Sequence, residues 1–176
     1  MNKKNKKNKN ENNYVVSHSI DPVYDSNSEI LVLGSFPSVK SRQQKFFYGH
    51  PQNRFWKVLA AVMEEDVPET IEDKKEFLIR NRIAVWDVID SCIIDGSSDS
   101  SIKNVVPSDL EKIILNTKIT HIFANGATAR KLYEKHHEKK LGIKIEALPS
   151  TSPANAAYSL ESLINEWSSL KKFLIK

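Results

Sequence analysis

The chain has 176 residues, 40% hydrophobic and 27% charged, which suits one globular domain and leaves no room for a second. Its formal charge of +4 is carried by residues 1–13, which hold five lysines and one glutamate; the remainder has 21 basic and 21 acidic residues and is formally neutral. A single cysteine, Cys92, excludes an intrachain disulfide and any cysteine-built metal or iron–sulfur site, and no run approaches the length of a membrane span, so a cytoplasmic protein is expected.

The Lys- and Asn-rich tail over 1–13 reads as a disordered basic terminus, either simply solvated or adding salt-screened attraction to phosphates. From Tyr14 to Lys176 the pattern is that of a single α/β domain, with short apolar runs alternating with segments of helical period. Four buried strands are predicted: Ile30–Leu33, Ile83–Trp86, His121–Ala124 and Lys144–Leu148, each followed by loop residues and then a helix. Pro51 marks a helix start, with Phe55, Val58, Leu59 and Val62 on one face and Asn53 in the first turn. Further helices are predicted over Pro68–Asn81, Pro107–Asn116, Gly126–Lys140 and Ala156–Ile175. Together these give a three-layer α/β/α sandwich around a four-stranded, mostly parallel sheet, whose ligand crevice lies beyond the carboxyl ends of the strands.

The four loops at those ends hold the unusual residues. Gly34-Ser35-Phe36-Pro37-Ser38 is a stiff turn that permits close backbone approach. Phe46-Phe47-Tyr48-Gly49-His50-Pro51-Gln52-Asn53 crowds three aromatics before a helix, with Phe55 and Trp56 expected in the core and Tyr48 and Asn53 in the cleft. Asp87 closes the second strand and reads equally as a cap, a satisfied turn residue or a cleft group. Asn125-Gly126 after the third strand is similarly open. Pro149-Ser150-Thr151-Ser152-Pro153-Ala154-Asn155 is too polar for core, and its hydroxyls and amides suit either helix capping or phosphate oxygens.

In this order and spacing, from Glu29 to Lys172, the loops resemble the uracil-DNA glycosylase superfamily. Gly34 to Ser38 is similar to its first motif, Tyr48 to Trp56 to the mismatch-specific uracil/thymine branch, and Leu148 to Pro153 occupies the place of the second motif. Gly-Ser-Phe-Pro-Ser, Trp-Asp-Val, Gly-Ser-x-Asp-Ser and Pro-Ser-Thr-Ser-Pro-Ala together resemble its hypoxanthine-DNA glycosylase family.

The resemblance implies a monofunctional DNA glycosylase, a monomer by default, that flips a deaminated base and hydrolyses its N-glycosidic bond without metal or organic cofactor. Phe36 stands where other branches hold a catalytic Asp or Asn, and the resemblance carries catalysis to Asn53, whose carbonyl oxygen would hold a water. It implies base binding by Gly34, Ser35, Phe36, Tyr48 and Asp87, with the Tyr48 ring stacking on the flipped base and Asp87 accepting the N1–H of hypoxanthine. DNA contacts fall to Ser38, His50, Ser150, Thr151, Ser152 and Pro153, with Ser152 or Pro153 filling the emptied stack. Leu148 in place of a His removes a donor to a pyrimidine carbonyl. A uracil or mismatch glycosylase and a non-catalytic binder of damaged DNA are the alternatives.

Overall fold

The computed structural model describes residues 14–174; the tail over 1–13 and Ile175, the last residue of the final predicted helix, lie outside it. The four predicted strands form one sheet: β2 (Ile30–Gly34), β3 (Ile83–Asp87), β6 (His121–Asn125) and β7 (Ile145–Leu148), ordered β3-β2-β6-β7 with every pairing parallel. Side chains alternate between faces, so Ile30 and Val32 enter one core while Leu31 and Leu33 enter the other. Both faces are buried against apolar layers, which is why these strands read as unbroken apolar runs rather than alternating ones.

The first core receives α2 (Phe55–Met63), α3 (Ile71–Arg80) and α7 (Leu160–Trp167) through Phe55, Leu59, Phe77, Leu78, Leu163 and Trp167. The second receives α4 (Leu110–Leu115) and α5 (Ala127–Tyr133) through Leu110, Ile113, Ala129 and Tyr133. The expected α/β/α layering is therefore present. The α3 start is set by Thr70 and Asp73, whose side chains bond each other's backbone N–H at 3.0 Å in a reciprocal cap.

Several expectations need correcting. A second, antiparallel sheet, β1-β4-β5, comprises β1 (Val15–Ser17), β4 (Ile89–Ile93) and β5 (Lys103–Pro107). Only Val88 separates β3 from β4, so no helix follows the second predicted strand. These strands escaped prediction because β1 is three residues long and β5 is mostly solvent-exposed, so neither shows a buried apolar run. Pro107 ends β5 rather than starting a helix, and α4 begins at Leu110. A short α1 (Val39–Gln44) capped by Ser38 also went unpredicted.

At the carboxyl end of the helix expected from Gly126 to Lys140, α5 passes into a π turn over Glu134–Glu138 and then α6 (Lys139–Leu141). The last predicted helix is α7, continued by a 3-10 turn over Ser168–Phe173.

The fully buried Trp167 spans two of these layers: its ring packs edge-on against Phe55, and its indole N–H donates to the Pro149 carbonyl at 2.9 Å. Trp167→Ala is expected to cost about 3–5 kcal/mol of unfolding free energy in urea titrations, through the cavity and the lost hydrogen bond.

Candidate functional site

β2 and β6 lie side by side, and the chain leaves them toward opposite edges of the sheet, which opens a crevice above their carboxyl ends. The crevice is a cleft of about 780 Å³ whose lining includes all twelve residues singled out from sequence, delivered by the loops after β2, β3 and β7 and the segment before α2.

Asn53 does not lie in the first turn of α2 but just ahead of it. Its side-chain oxygen accepts the Phe55 N–H at 2.9 Å, so it caps the helix from outside, and it also accepts the Thr151 hydroxyl at 2.9 Å. Thr151 in turn accepts the Asn125 amide at 2.9 Å and donates its own N–H to the Asn125 carbonyl oxygen at 2.9 Å. The two donors fix the orientation of the Asn53 amide and occupy both lone pairs of its oxygen. A water held by that oxygen would have to displace one of them. The Nδ2 group of Asn53 makes no hydrogen bond with the described residues, so it is the half of the amide free to act.

Thr151 is fully buried with its hydroxyl and N–H both engaged, which leaves no group to offer a phosphate; its part is to position Asn53. Ser38 likewise commits its hydroxyl to capping α1, through the Ser41 N–H at 3.2 Å. Ser150 packs against Gly126, whose φ of +99° a side chain would strain and whose missing Cβ leaves room for the Ser150 Cβ. Pro153 is exposed at the loop tip, whereas the Ser152 hydroxyl turns back to the Ala154 N–H at 3.2 Å.

Arg54 and Asn125 carry more of this architecture than sequence reasoning assigned them. The Arg54 guanidinium donates to the carbonyls of Ser152 at 2.8 Å, Asn155 at 2.9 Å and Tyr158, holding the whole loop against α2. An arginine before a helix carries no local sequence signal of what its long side chain reaches.

At the cleft floor, the β2–β3 register places Gly34 beside Asp87. A Cβ at Gly34 would stand 2.3 Å from Asp87 Oδ1, so the carboxyl can lie here only because position 34 is glycine. Tyr48 reaches the same point from the other side, with a left-handed backbone (φ 51°) and its ring stacked on Phe55 at 3.8 Å between centroids. Asp87 is 4% exposed; its Oδ2 and the Tyr48 hydroxyl are both buried without hydrogen-bond partners. Burial, and then the nearby Asp99 carboxylate, push the Asp87 carboxyl up to about 7. Burial and the neighbouring Asp87 raise the Tyr48 phenol as well, so it stays a donor at neutral pH.

Phe36 is buried, edge-on to His18 at 5.4 Å and beneath the Arg42 guanidinium at 5.4 Å, and it presents only carbon to the cleft. The loop between β4 and β5 also lines the cleft, and its Asp99 Oδ1 accepts the Ser35 hydroxyl at 2.9 Å. The sequence contained this loop as a Gly-Ser-x-Asp-Ser string but no indication that it faces Ser35. Among the described residues, no group of three or more His, Cys, Asp or Glu is placed to hold a metal ion.

Two outcomes follow from the floor geometry. Gly34→Ala is expected to displace the Asp87 carboxyl and cost about 1–3 kcal/mol, a penalty that largely vanishes in an Asp87→Ala background, as a double-mutant cycle in urea would show. Between the ordinary aspartate value near 4 and about 7, the folded chain keeps a proton that the unfolded chain has released. Stability therefore falls as pH rises through that window and levels off above it. Asp87→Asn removes this slope, so between about pH 4 and about pH 8 the variant should gain on the parent by on the order of a few kcal/mol.

The family model of the uracil DNA glycosylase superfamily matches residues 22–172. The chain is 33% identical over 155 residues to a protein of Methanosarcina acetivorans named hypoxanthine DNA glycosylase, covering 87% of this chain and 96% of that one. A protein of the same name from Methanosarcina barkeri is 34% identical over 150 residues, covering 83% and 92%. A solution NMR structure from M. acetivorans, reported as a candidate uracil DNA glycosylase, superposes with a TM-score of 0.74 at 31% identity over 90% of this chain and 99% of that one. With the cleft at the strand ends and these relatives spanning nearly its full length, the chain belongs to the uracil DNA glycosylase superfamily.

Proposed function

We propose that this DNA glycosylase acts chiefly on hypoxanthine, hydrolysing the bond between the deaminated base and its deoxyribose to leave free base and an abasic site. The observation that carries the choice of base is the buried Asp87 carboxyl at the cleft floor, whose Oδ2 has no hydrogen-bond partner. Hypoxanthine presents a hydrogen on N1, whereas adenine presents a lone pair there. An Asp87 carboxylate accepts the first and repels the second, and a buried group left unpaired penalises the wrong base further. The carboxyl sits near 7 in the free protein, so an N1–H donor also draws it toward the anion that discriminates. The names of the M. acetivorans and M. barkeri relatives support the same base.

The other roles follow the geometry. The Tyr48 ring stacks on the flipped base in this reading, which its backing by Phe55 supports. Asn53 serves catalysis through its free amide N–H groups, which can hold the oxygen of the attacking water, since its carbonyl is committed to Phe55 and Thr151. Ser150 and His50 stand at the rim to meet the DNA backbone, and the exposed Pro153 is the group that enters the emptied stack. Leu148 is buried and offers no donor to a pyrimidine, which weighs against uracil as the main substrate.

Duplexes carrying a single hypoxanthine, uracil, xanthine or adenine, followed by alkaline cleavage of abasic sites, test the reading. Hypoxanthine is expected to be released fastest, Asn53→Ala to slow release by about a hundredfold or more, and Asp87→Asn to shrink the preference over adenine by at least about tenfold. Release of uracil alone would move the chain to the mismatch branch; binding of lesions with no release of any base would make it a recognition module.

A further inference from the structure

Glycosidic cleavage places positive charge on C1′ and the sugar ring, and a fixed anion beside that charge is the most effective stabiliser an enzyme can supply. Among the described residues lining the cleft, two carry carboxyls, Asp87 and Asp99. Asp87 lies at the floor against Gly34 and below Tyr48, the place of the base. Phe36 is apolar, and the Asn53 oxygen already serves two protein donors.

Asp99 differs on each count. It keeps solvent access at the cleft mouth, and the Ser35 hydroxyl holds its Oδ1 at 2.9 Å, one residue before Phe36. Its loop is tied to α1, with the Val39 N–H donating to Ser97 Oγ at 2.9 Å and Arg42 to the Gly96 carbonyl at 3.3 Å. The loop is also bonded internally, Ser101 Oγ accepting the Asp95 N–H at 2.8 Å and donating to the Ser98 carbonyl at 2.7 Å. The carboxylate is thus prepositioned in the cleft that Asn53 also lines. Crowding by the cleft walls pushes its carboxyl up, while the Ser35 and Thr128 hydroxyls pull it back toward the anion.

We propose that Asp99 is a catalytic residue, the anion that meets the sugar of the flipped nucleotide and takes the proton of the attacking water. The inference rests on the glycosylase reading of the cleft and adds the charge that Phe36 and Asn53 lack. The C1′–N bond breaks with its electron pair leaving on the base, while the sugar cation lies against the Asp99 carboxylate. The water oxygen then bonds C1′, its surplus proton passes to Asp99 and on to solvent, and the departing base takes one proton from solvent.

The test pairs single-turnover hypoxanthine release with binding of two uncleavable duplexes, one holding a cationic pyrrolidine in place of the sugar and one a neutral tetrahydrofuran. The unaltered protein is expected to prefer the cation by about tenfold or more, and Asp99→Asn to lose that preference while binding the neutral duplex within about threefold of the parent. Release by Asp99→Asn should slow by about a hundredfold, with partial recovery in Asp99→Glu. An intact preference for the cation in Asp99→Asn, or release within about threefold of the parent, overturns the assignment.

If Asp99→Asn fails to fold, Ser35→Ala, which removes only the hydroxyl holding the carboxylate, should lower the cation preference; an unchanged preference there overturns the proposal too. No hypoxanthine release by the parent, with an Asp99-dependent cation preference, would overturn the base assignment and uphold Asp99. Release without any such preference would do the reverse.

Discussion

The cleft depends on one buried polar bridge. Thr151 lies between Asn125 at the end of β6 and Asn53 ahead of α2, accepting from one amide and donating to the other. Without it the Asn53 oxygen would lose a donor, the α2 cap would loosen, and the loop after β7 would lose its hydrogen bonds to Asn125 at the end of β6. The Thr151 hydroxyl and N–H and the Asn53 oxygen are all engaged in it, and buried hydrogen-bond networks of this kind impose a single arrangement on the side chains they join. Arg54 reinforces it from the other side by collecting four carbonyls of the same loop, those of Thr151, Ser152, Asn155 and Tyr158. The loop after β7 is therefore held rigidly against α2 and the sheet, as precise positioning of a site requires.

The cleft floor is its opposite. Asp87 Oδ2 and the Tyr48 hydroxyl are buried without partners, an arrangement that costs stability in the free protein. Tyr48 also holds a left-handed backbone that a non-glycine residue adopts at a penalty of roughly 1–3 kcal/mol. Unsatisfied groups and strain concentrated beneath a cleft are the signature of a site completed by its ligand, with the surrounding packed layers supplying the rigidity that holds them in place.

The antiparallel sheet explains how a single small domain closes its cleft. β3 runs directly into β4 across Val88, so the carboxyl end of the parallel sheet continues into a second sheet whose β4–β5 loop folds back over Ser35. That return brings Asp99 into the cleft that Asn53 and Thr151 also line. The cleft thus draws its polar groups from every strand end of the parallel sheet and from one loop of the other.

The sequence by itself determined the parallel sheet, because strands buried on both faces must be apolar throughout and so stand out from their surroundings. It determined the buried face of α2, Phe55, Val58, Leu59 and Val62, because amphipathic period is written in consecutive residues. It also determined which loops line the cleft, since those loops lie at the strand ends and carry glycine, proline and polar residues where core would be apolar. What only the tertiary structure decided is how the side chains in those loops are used. Asn53 has one oxygen and two suitors, Phe55 and Thr151, and the second lies 98 residues away, so no local pattern shows that its carbonyl is spent. Thr151 reads as a surface hydroxyl until the fold buries it. Asp87 reads equally as a cap until the β2–β3 register sets it over Gly34. Asp99 meets Ser35 across 64 residues through strands too short or too exposed to leave a hydrophobic period. Local propensity and burial are properties of neighbouring residues; hydrogen-bond partnership and electrostatic environment are properties of distant ones, and only folding brings those together.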